Sequence, residues 1–288
     1  MKHAYLIVAH DNFEQLNTLL NLLDDERNDI YLHIDKKSAG FSPEMLSGAL
    51  SRASLHLVRR GSITWGGYSQ IRTTLLLLKQ ACKTAHSYYH LLSGVDLPLK
   101  TQSEIHSFFE HNPDREYIAV DNKLHRDEAL AERVRYFYPF QDIIGRHHSP
   151  LYDFLRTLQG KLVALQMKLK ISRIPAAAPY VYKGSNWFSI SHEAALYLLS
   201  RQKEIRRRFR MSSCGDEFYL QTVFMLSPFA KKLADNNLRF IDWDRGMPYT
   251  FTEEDYELLM NSGMLFARKF SPEHPEIINM IVEQLKKG

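Results

Sequence analysis

Two adjacent carboxylates are the first residues of this chain that could do chemistry. Cys214-Gly215-Asp216-Glu217-Phe218 sets them at the expected start of a helix. A carboxylate fixed beside a cleft can act as a general base toward a hydroxyl. The same pair also suits a plain helix start, because Asp is a good N-cap and Glu in the first turn complements the helix dipole. Trp65-Gly66-Gly67-Tyr68 places two glycines between a bulky aromatic and a helix start. Glycine there lets backbone approach a ligand closely, and it serves a plain turn equally well. Gly184-Ser185-Asn186-Trp187-Phe188 again sets small polar residues ahead of aromatics, and alone it reads as a turn into a core strand. Leu265-Phe266-Ala267-Arg268-Lys269-Phe270 sets two cations among apolar residues. An isolated buried cation is costly, so Arg268 or Lys269 either snorkels to solvent or meets an anion.

The elements that must position these residues alternate. Ala4–Ala9 is a continuous apolar run fit for a buried parallel strand, and Asn12–Leu23 follows with helical spacing. Ile30–Asp35 and Ser54–Val58 read as strands, Tyr68–Ala85 as a long helix, and Tyr88–Leu92 as a fourth strand. Ser103–His111 reads as a helix and Tyr117–Val120 as a fifth strand. Later come a strand at Trp187–Ile190, helices at His192–Leu199 and Asp216–Leu226, a strand at Leu238–Ile241, and helices at Glu253–Met260 and Pro275–Leu285. This order predicts an α/β fold with a mainly parallel sheet flanked by helices. Ligands of such sheets sit at the carboxyl ends of the strands. Three of those ends carry polar runs: His10-Asp11-Asn12, His33-Ile34-Asp35 and Ser93-Gly94-Val95-Asp96. Any one could be a turn or cap, but three at equivalent ends favour a shared ligand cleft.

Composition narrows the classes. The chain has 288 residues, 44% apolar and 24% charged, with a net charge of +4, which fits a folded protein and not a dedicated nucleic-acid binder. Two cysteines, Cys82 and Cys214, imply no disulfide framework. No run approaches a membrane span, and the first apolar run is too short for a secretory signal, so a start near Met1 and a cytoplasmic location are expected. P-loop, dinucleotide, nucleophile-elbow and HExxH zinc signatures are absent. The pair His147-His148 lacks partners at metal-ligand spacing and reads as a solvated loop.

Taken in order, AYLIVAH, HIDKK, WGGYSQI, HLLSGVDLPLKT, GSNWFSIS, CGDEFYLQTV, RFIDWD and LFARKF resemble the core-2/I-branching glycosyltransferase family, almost end to end. The family includes β-1,6-N-acetylglucosaminyltransferases and peptide O-xylosyltransferases, and the chain is similar to a compact bacterial-type member. The resemblance implies a GT-A type fold over residues 1–288, with a Rossmann-like nucleotide-binding half at 1–121 and an acceptor-binding and catalytic half at 122–288. It implies an inverting transfer from a UDP-sugar to a glycan hydroxyl, with N-acetylglucosamine the first choice of sugar and xylose the second. Glu217 matches the family's base, with Asp216 free to cap the helix. Lys269 matches a cation on the departing diphosphate, Arg245 is a second candidate, and Arg268 stands in reserve. Val8, His10 and Asp35 are implied around uridine, and Trp65, Gly66 and Gly67 near the ribose and diphosphate. Asp96 and Ser185 are implied on the sugar side and Trp187 against the acceptor. No metal or other cofactor is expected, because the Asp242-Trp243-Asp244 string lies too late in the chain for a metal-binding D-x-D. Only 122–178 departs freely from the family pattern.

Two other readings stay open. One is a sugar-nucleotide or glycan binder without turnover. The other is a basic surface protein for nucleic acid or lipid, drawn from Arg201, Lys203, Arg206, Arg207, Arg208 and Arg210, a run that is usually a solvated helix face. With the basic helix near Lys161–Lys170, this run suits peripheral contact with the inner face of the plasma membrane and a lipid-linked acceptor better than it suits nucleic acid.

Overall fold

Strand β1 (His3–Ala9) is buried along nearly its whole length, as a run apolar on both faces requires. Alternate residues feed two cores. Tyr5, Ile7 and Ala9 face one cluster, Ala4 and Leu6 the other. The structure, a computed structural model, describes residues 2–46, 48–121, 128–174 and 181–287. Parallel to β1 lie β2 (Asn28–Ile34) and, beyond it, β3 (Ser54–Leu57). Helix α1 (Phe13–Leu22) connects β1 to β2, and α2 (Tyr68–Ala81) precedes β4 (Tyr88–Ser93). β4 pairs in parallel with the other edge of β1. The strand order therefore reverses between β1 and β4, which is where open α/β sheets bind ligands.

A short β5 (Leu97–Pro98) leads to α3 (Gln102–His111), whose start is fixed by a reciprocal capping box between Thr101 and Glu104. β6 (Glu116–Ile118) follows. Three helices then follow in the stretch where the sequence is less regular: α4 (Glu128–Arg135), α5 (Gln141–Ile144) and α6 (Pro150–Lys168), the last coinciding with the expected basic helix. Asn122 and Ala178, the expected ends of that stretch, lie outside the described residues. β7 (Phe188–Ser191) inserts antiparallel between β4 and β6. α7 (His192–Ser200), α8 (Gln202–Phe209) and α9 (Tyr219–Met225) pack on the cluster that holds Leu6 and Leu91. β8 (Leu233–Ala234) completes a seven-stranded sheet in the order β3-β2-β1-β4-β7-β6-β8. β9 (Arg239–Ile241), α10 (Tyr256–Met260), β10 (Phe266–Arg268) and α11 (Pro275–Lys287) finish the chain, with β5, β10 and β9 forming a small second sheet.

One expected helix is broken. In place of a continuous Asp216–Leu226, Gly215–Glu217 forms a 3₁₀ turn and α9 begins only at Tyr219. Asp216 does not cap it. Cys214, in the left-handed region at φ 51°, holds the cap position, and no side chain caps the turn. None of the helices among the described residues is long and apolar enough to cross a membrane.

Candidate active site

A cavity of about 600 Å³ opens at the carboxyl ends of β1, β2 and β4, a size within the range of small-molecule sites. Val8, His10, Asp35, Trp65, Trp187 and Arg268 all line it. Residues far apart in the chain thus meet at one wall, and the strand order explains why.

Asp35 is held by the backbone after β2. Its carboxylate accepts from the amides of Lys37, at 2.9 Å, and Ile63, at 3.3 Å. The Lys37 ammonium lies 3.8 Å from it. Opposite, Asp96 sits behind the wall, fully buried. It accepts from the Ser93 amide at 2.9 Å and the Ser93 hydroxyl at 2.6 Å, closing the turn after β4. Its Oδ1 also takes a 2.8 Å bond from Arg268. Asp96 therefore does not face a sugar. It aims Arg268, which is mostly buried and lies over the Trp187 ring with its guanidinium carbon 4.4 Å from the centroid.

The other tryptophan carries the same device. Arg146 stacks on Trp65 at 4.1 Å, and both line the cavity. Two Trp-Arg pairs, from opposite ends of the sequence, thus present aromatic faces and positive charge to one space. Lys37, Ser38, Arg146, His147 and Asn186 are wall residues that sequence reasoning missed. Lys37 was visible in the HIDKK string, and Asn186 in GSNW. Arg146 and His147 had no periodic signal, because they fall in the short turn between α5 and α6.

Several expected positions lie elsewhere. Gly66 and Gly67 are buried, and what approaches their backbone is protein. Gly66 adopts φ +67°, and a Cβ there would meet Cys214 Sγ and Gln141 Nε2 at 3.0 Å. A Cβ on Gly67 would meet Asp142 Oδ1 at 2.2 Å. Asp142 also accepts from the Ser69 amide and hydroxyl at 2.9 Å each. The start of α2, a position that suits an anion, is already served by the Asp142 carboxylate. Lys269 is absent from the wall. Its amide and carbonyl bond Tyr249 and Phe251, and from this segment Arg268 is the cation that faces the cavity. Arg245 is engaged by two carboxylates, Asp242 at 2.6 Å and Asp255 at 2.7 Å. Asp242 spends its other oxygen on the amides of Asp244 and Arg245, so the literal D-x-D string builds a turn.

Glu217 does not line the cavity either, but it is tied to it. Its carbonyl accepts from the Gly184 amide at 2.9 Å. Ser185, next along, accepts the Trp187 amide on its hydroxyl at 3.3 Å and the Gln221 side chain on its carbonyl at 2.6 Å. Asn186 and Trp187 then reach the wall. From the other side, the Cys214 amide donates to the Gly66 carbonyl at 2.8 Å, one residue from Trp65. The Glu217 carboxylate is a third exposed, with Arg133 at 3.6 Å and Lys183 at 3.9 Å. Asp216 beside it is buried, and its Oδ1 has no hydrogen-bond partner. Burial first, and the Glu217 charge second, push its carboxyl up to about 7. Burial likewise pushes the Cys214 thiol up to about 11, which keeps it protonated and poorly nucleophilic at neutral pH. Among the described residues no cluster of His, Cys, Asp and Glu is arranged to hold a metal ion.

Rat Xylosyltransferase 2 is 25% identical over 96% of this chain and 33% of its own length. The chain thus spans about a third of the xylosyltransferases it matches. Beta-glucuronosyltransferase GlcAT14A of Arabidopsis thaliana is 25% identical over the whole chain and 65% of its own length. Among solved structures, apo mouse Xyloside xylosyltransferase 1 aligns over 92% of this chain at 10% identity, with a TM-score of 0.39. The sequence profile described as Branch, the Core-2/I-Branching enzyme, matches residues 3–261. That span takes in the strand ends, both cavity tryptophans and the Asp216-Glu217 turn, and the mostly parallel seven-stranded sheet with its flanking helices is the GT-A type architecture expected of it. The chain belongs to the core-2/I-branching enzyme family.

Proposed function

We propose that this protein moves a sugar from a UDP-sugar to a hydroxyl of a glycan, by one inverting displacement. The observation that carries the reading is the cavity at the switch point, walled by two Trp-Arg pairs in a member of this family. Asp35 and the ends of β1 and β2 suit the nucleoside, which leaves the diphosphate between Arg268, Arg146 and Lys37. Fixed cations there stabilise charge as it develops on the leaving group, with no metal needed for that role. The acceptor enters on the Glu217 side. Glu217 takes the hydroxyl proton as the oxygen bonds to the anomeric carbon, the bond from that carbon to the diphosphate oxygen breaks, and UDP leaves.

Three donors follow from the resemblance and from the names of the relatives: N-acetylglucosamine, xylose and glucuronic acid. Each UDP-sugar is to be offered in EDTA while UDP release is followed. Hydrolysis of one donor by the wild type, reduced at least a hundredfold in Glu217→Gln, is the expected result, since general base catalysis is worth about 10²–10⁴. Full activity in Glu217→Gln would rule out the base. A requirement for added Mn²⁺ or Mg²⁺ would overturn metal independence. Tight UDP binding with no turnover of any donor would return the protein to the class of binders.

A further inference from the structure

Helix α6 is attached to the body along one stripe only. Gln159 is buried and accepts from the Phe140 amide at 2.9 Å, and Gln166 bonds both backbone groups of Phe137. One line of the outward side is apolar. Leu151 and Phe154 are each 63% exposed, Leu165 50%, and Leu169 just past the helix end 59%. Their spacing puts them, with Leu158, on one line about 27 Å long. Seven of the 17 large apolar side chains exposed among the described residues lie between Ile143 and Ile171, a tenth of the chain. A water-facing helix would carry polar groups on that line. Exposed apolar concentrations of this kind mark interaction surfaces.

The charge around the stripe selects the occupant. Between 146 and 173 there are six cations: Arg146, Arg156, Lys161, Lys168, Lys170 and Arg173. One carboxylate opposes them, Asp153, and it is paired with Arg156 at 2.5 Å. Lys161 and Lys168 border the apolar line and are exposed. At its far end Arg173 donates to the Arg208 carbonyl, joining this segment to the end of α8, where Arg206 and Arg207 are exposed. An apolar stripe edged by lysines, with almost no acid, fits an anionic lipid surface: side chains enter the acyl boundary while ammonium groups meet phosphates. Arg146 and His147, in the turn that leads into α6, line the cavity.

We propose that α6 lies in the headgroup layer of an anionic membrane, with Leu151, Phe154, Leu165 and Leu169 inserted and Lys161, Lys168 and Lys170 on lipid phosphates. The cavity then opens beside the bilayer, facing an acceptor carried in it. That last step rests on the sugar-transfer reading, whereas the docking does not.

The full chain is to be sedimented at low salt with vesicles of phosphatidylglycerol and phosphatidylethanolamine, and separately with phosphatidylcholine. Binding to the anionic vesicles alone, weakened by added salt, is expected. Phe154→Ser with Leu165→Ser should lower vesicle affinity at least about tenfold, from the lost apolar burial. Lys161→Gln with Lys168→Gln should lower it about twenty-five-fold, at about fivefold per lysine. Both variants should keep wild-type hydrolysis of soluble donor. No anionic binding, or undiminished binding by both variants, overturns the docking. A concentration-dependent dimer lost in the Phe154→Ser, Leu165→Ser variant assigns the stripe to a second copy of the chain and overturns it too. Vesicle binding that follows the expected pattern, with no donor hydrolysis by any form, upholds the docking and fails the sugar-transfer reading.

Discussion

Two turns of this molecule each bury an aspartate, and they hold it in opposite ways. At Ser93–Asp96 the carboxylate is fully enclosed and every approach to it is a donor: the Ser93 amide, the Ser93 hydroxyl and Arg268. At Cys214–Glu217 the buried Asp216 leaves Oδ1 without a partner and has a second carboxylate, Glu217, as its neighbour. The first turn hangs from β4, whose ladder with β1 fixes its position before any side chain acts. The second hangs between the end of α8 and the start of α9, positioned by single bonds such as Cys214 to Gly66 and Gly184 to Glu217. Charge at the first turn holds structure. At the second a buried carboxyl is left unsatisfied beside a charged one, a strain of the kind that clusters at reactive groups.

The largest effect should come from breaking the satisfied turn. Asp96→Ala strips Arg268 of its only carboxylate partner among the described residues and leaves the Ser93 amide without an acceptor. Removing one member of a mostly buried pair costs about 3–5 kcal/mol. For a chain of this size that lowers Tm by roughly 6–10 °C or more, which thermal unfolding would measure. Adding Arg268→Met should recover part of the loss, because the stranded charge goes with it. A Tm unchanged in Asp96→Ala would mean that the turn is held by the ladder alone.

The second effect is a pH dependence with a sign opposite to that of an ordinary ion pair. In the folded chain Asp216 keeps its proton up to about pH 7, whereas the ordinary value is 3.8. Between those values the folded state binds more protons than the unfolded one. Stability from this group is therefore greatest below about pH 4, falls as pH rises toward 7, and is level above that, by at most ~4 kcal/mol. Asp216→Asn removes the ionisation. Denaturant unfolding of the two proteins should diverge in favour of the variant as pH rises from 4 to 8. Parallel curves would remove the contrast between the turns.

This contrast also marks what the sequence made legible. β1, β2, β4 and α2 were readable because long apolar runs and 3.6-residue spacing record burial directly. The three polar strand ends followed, and two of them hold His10 and Asp35, which with Val8 the family resemblance implied around the nucleoside and which line the cavity. The strand β7 was readable, but its antiparallel direction was not, since the direction of a short buried strand leaves no trace in its pattern. Nor was the choice of Arg268 over Lys269, because two adjacent cations look alike until the backbone decides which one turns toward Asp96. Gly66 and Gly67 read equally as a close approach to a ligand or as a plain turn, and the bodies packed against them are protein: Cys214, Gln141 and Asp142. Arg146 had no local signal, and the His147-His148 pair read as a solvated loop, whereas His147 lines the cavity.

The smallest effect on stability should be found at Glu217, and it is the most telling. Arg133 and Lys183 approach its carboxylate at 3.6 and 3.9 Å across a site open to solvent. Exposed pairs at such distances contribute about 0–1 kcal/mol. Arg133→Gln with Lys183→Gln should therefore shift Tm by no more than about 2–3 °C. Donor hydrolysis should nonetheless fall by more than tenfold if the two cations hold the carboxylate in place for proton transfer, since small misplacements of a reacting group are costly. A small Tm shift with a large fall in rate would separate this turn from Ser93–Asp96 on both measurements. A Tm loss as large as that of Asp96→Ala, with the rate preserved, would make Arg133 and Lys183 part of the scaffold and return the two turns to a single class.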